Sequence, residues 1–167
     1  MLAIGSDHAG YELKCEVKKF LDGLGVEYID CGCNGERADY PDIAEKTCEK
    51  IKSGECDKGI LICGTGIGIS ISANKIKGIR AALCQDYYTA KYTRLHNDAN
   101  VLCMGGRVIG AGTAEEIVRV FLSTEFEGGR HAARVDKMMV WNDYSCHADY
   151  HGIRIISCFV YIVVQLK

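Results

Sequence analysis

Short apolar segments alternate with segments of helical periodicity along most of this chain, and this alternation constrains the fold more than any other feature. Five of the apolar segments are typical of buried strands: MLAIGSD, VEYIDCG, KGILICG, IRAALCQ and NVLCMGG. Strands that are apolar throughout, with helices between them, indicate a parallel sheet covered on both faces. We therefore predict an α/β fold, a Rossmann-like three-layer α/β/α sandwich with a five-stranded parallel sheet and right-handed crossovers.

The segments between the strands carry helix signals that set the expected boundaries. The segment after the first strand, GYELKCEVKKFLDGLG, is predicted to form a helix that ends at Gly25. Pro41 lies near the first turn of the next helix, a position that suits proline. Thr113 is expected to cap the last long helix, because Glu116 follows three residues later as in a capping box.

The alternating pattern stops near residue 137. We expect one domain over residues 1–137, because a chain of 167 residues suggests a single domain. Residues 138–167 are predicted to be an extension of unknown role. Its apolar run, IISCFVYIVV, is too short to span a bilayer. The alternatives for this run are an added strand, a subunit contact or a segment foreign to the rest of the fold.

The charge balance of the chain excludes several classes of partner. Twenty Lys and Arg residues against 22 Asp and Glu residues give a net charge of −2. This balance gives no overall attraction to nucleic acid or to an anionic membrane, so we expect neither as a partner. Any site for an anion must therefore be local.

The ten cysteines do not form a pattern that indicates disulfides or a metal site. No signal-peptide pattern is visible, so we expect a cytoplasmic protein in a reducing compartment. No CxxC pair occurs, and CGC is too tight for the usual zinc spacings. We expect most cysteines to be small buried apolar residues, and we expect neither a metal nor another cofactor.

Polar residues follow the predicted strands where parallel sheets bind ligands, beyond the carboxyl ends of the strands. Asp7 and His8 follow the first strand, and residues 63–68 follow the third. Gly64, Gly66 and Gly68 open a helix, so backbone N–H groups can approach an anion closely. The alternatives are a nucleotide phosphate, a tight packing turn, or a small oxyanion. The G-x-G-x-G spacing and the missing phosphate-loop lysine favour the small oxyanion.

Cys63 stands at the mouth of this glycine loop. A helix N-terminus favours the thiolate form of cysteine, which can act as a nucleophile or a base. The alternative is a packing cysteine. Asp7, His8 and the later His96 are predicted to lie on one face of the fold; the alternatives are a helix cap for Asp7, a surface position for His8 and a capping role for His96.

Basic residues supply a second candidate anion site. Arg130 and Arg134 are four residues apart, so they share one face if this segment is helical, and Arg107 can join them. Such a cluster can clamp a phosphate through charge-assisted hydrogen bonds; the alternative is a solvated basic face. The residues together indicate proton-transfer chemistry on a small phosphorylated carbon compound.

Six motifs carry a resemblance to a known family: GSDHAG, RADYPDIA, GILICGTGIGISISANK, IRAALCQD, LHNDANVLCMGGRVIG and FEGGRHAARV. Together they resemble the B-type ribose-5-phosphate isomerases of the RpiB/LacAB sugar-phosphate isomerase family. The resemblance runs from Met1 to about Lys137. It implies metal-free interconversion of ribose 5-phosphate and ribulose 5-phosphate by a homodimer, sometimes a tetramer, with sites shared between subunits.

The resemblance also implies a role for each candidate residue. Cys63 would be the base, because the glutamate base of a second family branch is replaced here by Ile69. His96 would open the sugar ring. The remaining roles are to hold the enediolate (Gly64, Thr65, Gly66, Ile67 and Gly68), to contact sugar hydroxyls (Asp7, Tyr40 and Asn97) and to bind the phosphate (His8, Arg107, Arg130 and Arg134).

Two alternative functions remain at this point. The first is isomerisation of a six-carbon sugar phosphate, such as allose 6-phosphate or galactose 6-phosphate, with nearly the same site residues. The second is a non-catalytic sugar-phosphate sensor. The presence of both Cys63 and His96 argues against the sensor, because a sensor needs neither a base nor a ring opener.

Overall fold

A five-stranded parallel sheet lies between two layers of helices in the computed structural model, which describes residues 1–141. The strands are β1 (Leu2–Ser6), β2 (Tyr28–Asp30), β3 (Lys58–Cys63), β4 (Ala81–Leu83) and β5 (Val101–Gly105). The helices are α1 (Tyr11–Gly23), α2 (Tyr40–Lys52), α3 (Ile67–Ala73), α4 (Tyr87–Asn97), α5 (Ala111–Ser123), a 3₁₀ turn (Gly129–His131) and α6 (Ala132–Trp141). The predicted fold class is confirmed.

The core has two parts, one on each face of the sheet, because side chains alternate along the strands. Ile60 and Ile62 of β3 pack with α1 and α5 on one face. Leu61 and Cys63 of the same strand pack with α2 and α3 on the other. Both faces of the central strands are therefore removed from water, which explains why these strands are apolar throughout.

The strand order β2-β1-β3-β5-β4 creates a switch point between β1 and β3. The chain moves from β1 outward to β2 and then returns to the far side of β1. We call the edge of the sheet where the strands end the carboxyl edge, and the edge where they begin the amino edge. A ligand crevice opens at such a switch point, beyond the carboxyl edge.

Two helix boundaries differ from those that the sequence predicts. Helix α5 begins at Ala111 with Gly110 as its N-cap, so the predicted Thr113 cap is wrong. The N–H of Ala114 already bonds to the carbonyl of Gly110, which places Thr113 inside the first turn. Helix α1 ends at Gly23, and Gly25 follows with a φ of 68° in the left-handed region.

The two arginines near the carboxyl-terminal end of the described chain also depart from expectation. Arg130 lies in the 3₁₀ turn and Arg134 in α6, so the two do not share one α-helix. Helix α6 runs through the predicted domain boundary at Lys137, and residues 142–167 of the predicted extension lie outside the described residues. Within residues 1–141, every helix is too short or too polar to cross a lipid bilayer.

Candidate active site

The loops that follow β1, β3 and β5 meet at the switch point. Ser6 of β1 pairs with Ile62 of β3, and the N–H of Asp7 donates to the Ile62 carbonyl at 3.2 Å. The N–H of Gly106, after β5, donates to the carbonyl of Cys63 at 2.8 Å. These bonds join three loops at the edge where the sequence predicts a ligand site.

Cys63 ends β3 with a buried thiol whose sulfur faces the glycine loop. The residue is 4% exposed, and the N–H of Gly66 donates to its Sγ at 3.1 Å. Gly66 is also the N-cap of α3, so the sulfur lies beside the positive end of a helix. A sulfur in such a place can accept a proton as a thiolate.

Three other buried thiols lie in apolar surroundings. Burial raises the pKa of Cys48 to about 12 and that of Cys84 to about 11, and it raises the pKa of Cys103 well above the usual range. Such thiols remain protonated and unreactive at neutral pH. These three residues act as small apolar members of the core.

The turn of the glycine loop requires a residue without a side chain. Gly66 has a φ of 78°, in the left-handed region. A Cβ at this position would lie 2.5 Å from Cδ1 of Leu83 and 2.8 Å from the carbonyl carbon of Met104. The hydroxyl of Thr65 accepts a hydrogen bond from the N–H of Ile67 at 3.3 Å, at the start of α3. The loop therefore offers the bare backbone that an anion hole needs.

Tyr40 and His8 flank the glycine loop. A Cβ on Gly68 would lie 2.8 Å from Cζ of Tyr40, so glycine lets the aromatic ring pack directly on the loop. Nδ1 of His8 lies 3.2 Å from the carbonyl oxygen of Ala38. Because a carbonyl only accepts, Nδ1 carries the proton, which leaves Nε2 of this exposed ring for a ligand.

Asp7 and Arg107 complete the carboxyl-edge group. Oδ1 of Asp7 accepts hydrogen bonds from the N–H groups of Ala9 at 2.9 Å and Gly10 at 3.0 Å, so this buried carboxylate fixes the turn ahead of α1. The N–H of Arg107 donates to the carbonyl of Gly64 at 3.0 Å, and its side chain lies against the same glycine. The guanidinium therefore stands beside the loop.

His96 and Asn97 lie at the opposite edge of the sheet. Helix α4 begins after β4 ends, and its last turn reaches the amino edge. There, the carbonyl of Asn100 accepts a hydrogen bond from the N–H of Gly59, near the start of β3, at 2.8 Å. The prediction that His8 and His96 share one face is wrong for a single copy, because a crossover helix runs antiparallel to the strands that it connects.

Arg130 and Arg134 also lie at the amino edge, near His96. The N–H of Glu127 donates to the carbonyl of Leu95 at 3.1 Å, which ties the segment after α5 to the last turn of α4. The 3₁₀ turn and the first turn of α6 then present the two arginines near that helix end. One copy of the chain thus divides the predicted site residues between two edges.

His96 has two partners that the motif analysis did not single out. Its ring stacks on that of His131, with centroids 4.1 Å apart and planes at 5°. Nε2 of His96 lies 3.7 Å from Oε2 of Glu127, and Nε2 of His131 lies 3.9 Å from the same oxygen. The four-residue spacing of Glu127 and His131 in FEGGRH is the sequence signal that could have found them.

His131 is held in the neutral form. Burial lowers its pKa, and the nearby His96 and Arg130 lower it further. Nε of Arg130 also donates to Nε2 of His131 at 3.3 Å, so that nitrogen carries no proton. His131 is therefore an uncharged ring between charged neighbours.

The same three side chains do not suit a metal ion. The ligand atoms of His96, Glu127 and His131 lie within 4.8 Å of one another. However, the two stacked rings keep their in-plane lone pairs in separate, nearly parallel planes, which do not meet at one ion. Arg130 also occupies the lone pair of His131. In the part of the chain that is described, this triad is better explained as a histidine pair with a carboxylate.

Asp98 fixes the turn that follows His96 and Asn97. It is a non-glycine residue with a φ of 45°. Its Oδ1 accepts from Nη1 of Arg94 and its Oδ2 from Nη2 of Arg80, both at 2.8 Å. Nε of Arg80 donates to the carbonyl of Asp98 at 2.8 Å. These charge-assisted bonds offset the strain of the left-handed conformation.

Comparison with known proteins places the chain in a family. Residues 2–138 match the family described as Ribose/Galactose Isomerase. The chain is 50% identical to ribose-5-phosphate isomerase B of Escherichia coli K12 over 136 residues, which cover 81% of this chain and 91% of the relative. It is 43% identical to D-erythrulose-4-phosphate isomerase of Pectobacterium atrosepticum over 148 residues, or 87% and 97% of the two chains.

A solved structure agrees with the sequence comparisons. The structure of Clostridium thermocellum ribose-5-phosphate isomerase B matches with a TM-score of 0.83 and 54% identity, covering 86% of this chain and 99% of that one. The family match over residues 2–138 includes both the carboxyl-edge and the amino-edge residues described above. The chain therefore belongs to the ribose/galactose isomerase family.

Proposed function

We propose that this chain is a metal-independent aldose–ketose isomerase that interconverts ribose 5-phosphate and ribulose 5-phosphate through an enediolate. The observation that carries the proposal is the hydrogen bond from the Gly66 N–H to Cys63 Sγ, inside a glycine loop at the switch point. The relatives named ribose-5-phosphate isomerase B in Escherichia coli and Clostridium thermocellum support the choice of substrate.

Cys63 is the base of the proposed reaction. It takes the proton from C2 of the open-chain aldose to form the enediolate. A proton then moves from the C2 hydroxyl to the C1 oxygen, and return of the first proton to C1 gives the ketose. Negative charge appears on the C1 oxygen as the proton leaves, so donors must be aimed at that oxygen. The backbone N–H groups of the glycine loop and the Thr65 hydroxyl supply them, while Asp7 and Tyr40 contact sugar hydroxyls.

The complete site needs a second copy of the chain. Cys63 lies at the carboxyl edge and His96 at the amino edge, so one copy cannot bring both to one sugar. We propose a homodimer in which the glycine loop of one copy meets His96 and Asn97 of its partner. Ile67 and Ile71, on the exposed side of α3 next to the loop, are 51% and 56% exposed and would be covered by such a contact.

Phosphate binding is divided between the two copies in the same way. His8 and Arg107 stand beside the glycine loop, whereas Arg130 and Arg134 stand beside His96. A phosphate between these groups would be held by charge-assisted hydrogen bonds from both copies. Binding energy from a phosphate remote from the reacting carbons would orient C1 and C2 against the base.

We also propose a compartment and a domain boundary for this chain. The eight cysteines among residues 1–141 are all free thiols, which supports a reducing cytoplasm. We propose residues 1–137 as the catalytic domain, in agreement with the extent of the family match.

The test is a set of initial rates on ribose 5-phosphate, allose 6-phosphate, galactose 6-phosphate and erythrulose 4-phosphate. Wild type, Cys63→Ala and the matched control Cys15→Ala would be compared. We expect preference for the pentose in wild type and in the control, and no isomerisation by Cys63→Ala. Preference for a six-carbon or four-carbon substrate would change the proposed substrate but not the proposed mechanism. Binding of these sugar phosphates without turnover of any of them would show that the chain is a sensor and not an enzyme.

A further inference from the structure

The rings of His96 and His131 form a stacked pair, and tertiary contacts bring the two rings together. His96 lies in the last turn of α4, and His131 closes the 3₁₀ turn. Nε of Arg94 donates to the carbonyl of Thr124 at 3.3 Å, which holds the segment leading to that turn against α4. With ring planes 5° apart and centroids 4.1 Å apart, each ring limits rotation of the other.

The two rings differ in their access to solvent. His131 is 4% exposed, whereas 34% of the His96 side chain is exposed. Nε of Arg130 donates to Nε2 of His131, so the single proton of the buried ring is on Nδ1. Two imidazolium rings at this spacing would repel each other. Only the exposed ring, that of His96, can therefore take up and release a proton.

The charged and titratable groups around the pair come from each element packed on it. Oε2 of Glu127, ahead of the 3₁₀ turn, faces both Nε2 atoms. Arg130 of the turn and Arg134 of α6 are both close enough to lower the pKa of the buried ring. Tyr92 of α4 packs edge-on against His96 with centroids 4.9 Å apart. Glu127 thus supplies the negative charge that faces the pair.

We propose that His131 and Glu127 are positioning residues for His96 during opening of the sugar ring, an inference that rests on the function proposed above. His131 is a neutral platform that holds the imidazole of His96 in one orientation. Glu127 stabilises that imidazole while it is positively charged.

The proton transfers of ring opening explain why both are needed. His96 takes the proton of the C1 hydroxyl, and the bond from C1 to the ring oxygen breaks with its electron pair on the ring oxygen. The same proton then passes to that oxygen, which leaves an aldehyde at C1 and a hydroxyl at C4. His96 is cationic between the two transfers, and its orientation must suit both oxygens.

Two substrates separate this role from a general structural one. Ribose 5-phosphate exists mainly as a closed ring, whereas ribulose 5-phosphate cannot close a five-membered ring because its O5 is phosphorylated. We expect His131→Leu to lower kcat about tenfold on ribose 5-phosphate and less than about twofold on ribulose 5-phosphate. His131→Phe keeps the stack and should retain most of the rate on both.

Glu127→Gln provides a second measurement at an exposed position, where folding is not at risk. We expect it to lower kcat and to move the pH profile measured with ribose 5-phosphate, and to leave the profile with ribulose 5-phosphate in place. Glu125→Gln, in the same segment, is the matched control and should change neither profile.

The outcomes distinguish the two proposals. Equal losses on both substrates for His131→Leu and Glu127→Gln, or no loss on either, would overturn the positioning role. If His131→Leu does not fold, as judged by circular dichroism, the Glu127→Gln profiles decide. If the wild-type protein turned over neither substrate, the function proposed above would be disproved instead.

Discussion

The sulfur of Cys63 and the N–H of Gly66 are joined by a hydrogen bond of 3.1 Å, and Gly66 is also the N-cap of helix α3. The proposed base and the proposed anion-binding backbone are therefore parts of one four-residue unit. A substrate that presents its C2 proton to the sulfur also presents its neighbouring oxygen to the loop, so one placement serves both halves of the chemistry.

Cys63→Ser should lower kcat on ribose 5-phosphate by about a thousandfold, because a hydroxyl at this position is too weakly acidic to serve as a base at neutral pH. Binding of the sugar phosphate, measured by calorimetry, should change little. Cys15→Ser, on α1, is the control and should keep the wild-type rate. A Cys63→Ser enzyme with a near-normal rate would disprove the assignment of the base.

Mixing two inactive variants should restore activity if each site is shared. Cys63→Ala and His96→Asn homodimers each lack one proton carrier in both sites. A heterodimer of the two has one site with both defects and one with neither, so random reassembly should give about a quarter of the wild-type activity. The measurement is the rate on ribose 5-phosphate after joint refolding. A mixture as inactive as its parts would show that both residues act within one copy.

Gly66→Ala should destabilise the fold by about 2 kcal/mol, because alanine is strained at a φ of 78° and its Cβ would meet Leu83 and Met104. Urea unfolding measures this change. Gly112→Ala is the control, since that helical glycine has open space around it and should become more stable by about 0.5 kcal/mol. Similar effects at the two positions would contradict the geometry of the loop.

The bond network of Asp30 should make stability depend on pH. Burial alone would raise the Asp30 pKa, but hydrogen bonds from Lys14, Lys18 and the Gly32 N–H outweigh it and lower the pKa. A lowered folded-state pKa means that the stabilisation is present above the ordinary value of about 4 and is lost as pH falls through the lowered value.

Asp30→Asn tests this dependence. Lys14 is 1% exposed, so the variant leaves a buried charge without its anion and should lose about 3 kcal/mol of unfolding free energy at pH 7. The difference in unfolding free energy between the variant and wild type, measured by urea unfolding, should become smaller below about pH 4. Asp57→Asn, which removes the exposed partner of the N-terminal ammonium, should change stability little. A difference in unfolding free energy that stayed constant with pH would contradict the link between the Asp30 pKa and stability.

Local sequence patterns were sufficient to predict the sheet and the positions of half of the candidate site residues. Apolar strands and the glycine spacing are local features, so β3, the loop after it and the position of Cys63 followed from the sequence. The Thr113 cap was wrong because Gly110, in an extended conformation, can begin the helix without a side-chain bond.

The other half of the site depends on tertiary contacts that short motifs do not encode. The stack of His96 on His131 exists because the chain after α5 returns along α4, and a motif search treats LHND and GGRH as separate entities. The direction of α4 places His96 at the amino edge. The sequence can therefore name each candidate residue and still leave undetermined which copy of the chain supplies it.

The separation of Cys63 and His96 at opposite edges of one chain has, under the proposed function, a consequence for how activity responds to dilution. A solitary folded copy would retain its sheet, its glycine loop and its thiol, and would still be unable to complete a turnover on a closed sugar. Specific activity would then fall as the protein is diluted while circular dichroism stayed constant, and the subunit equilibrium, rather than folding, would set how much active enzyme is present.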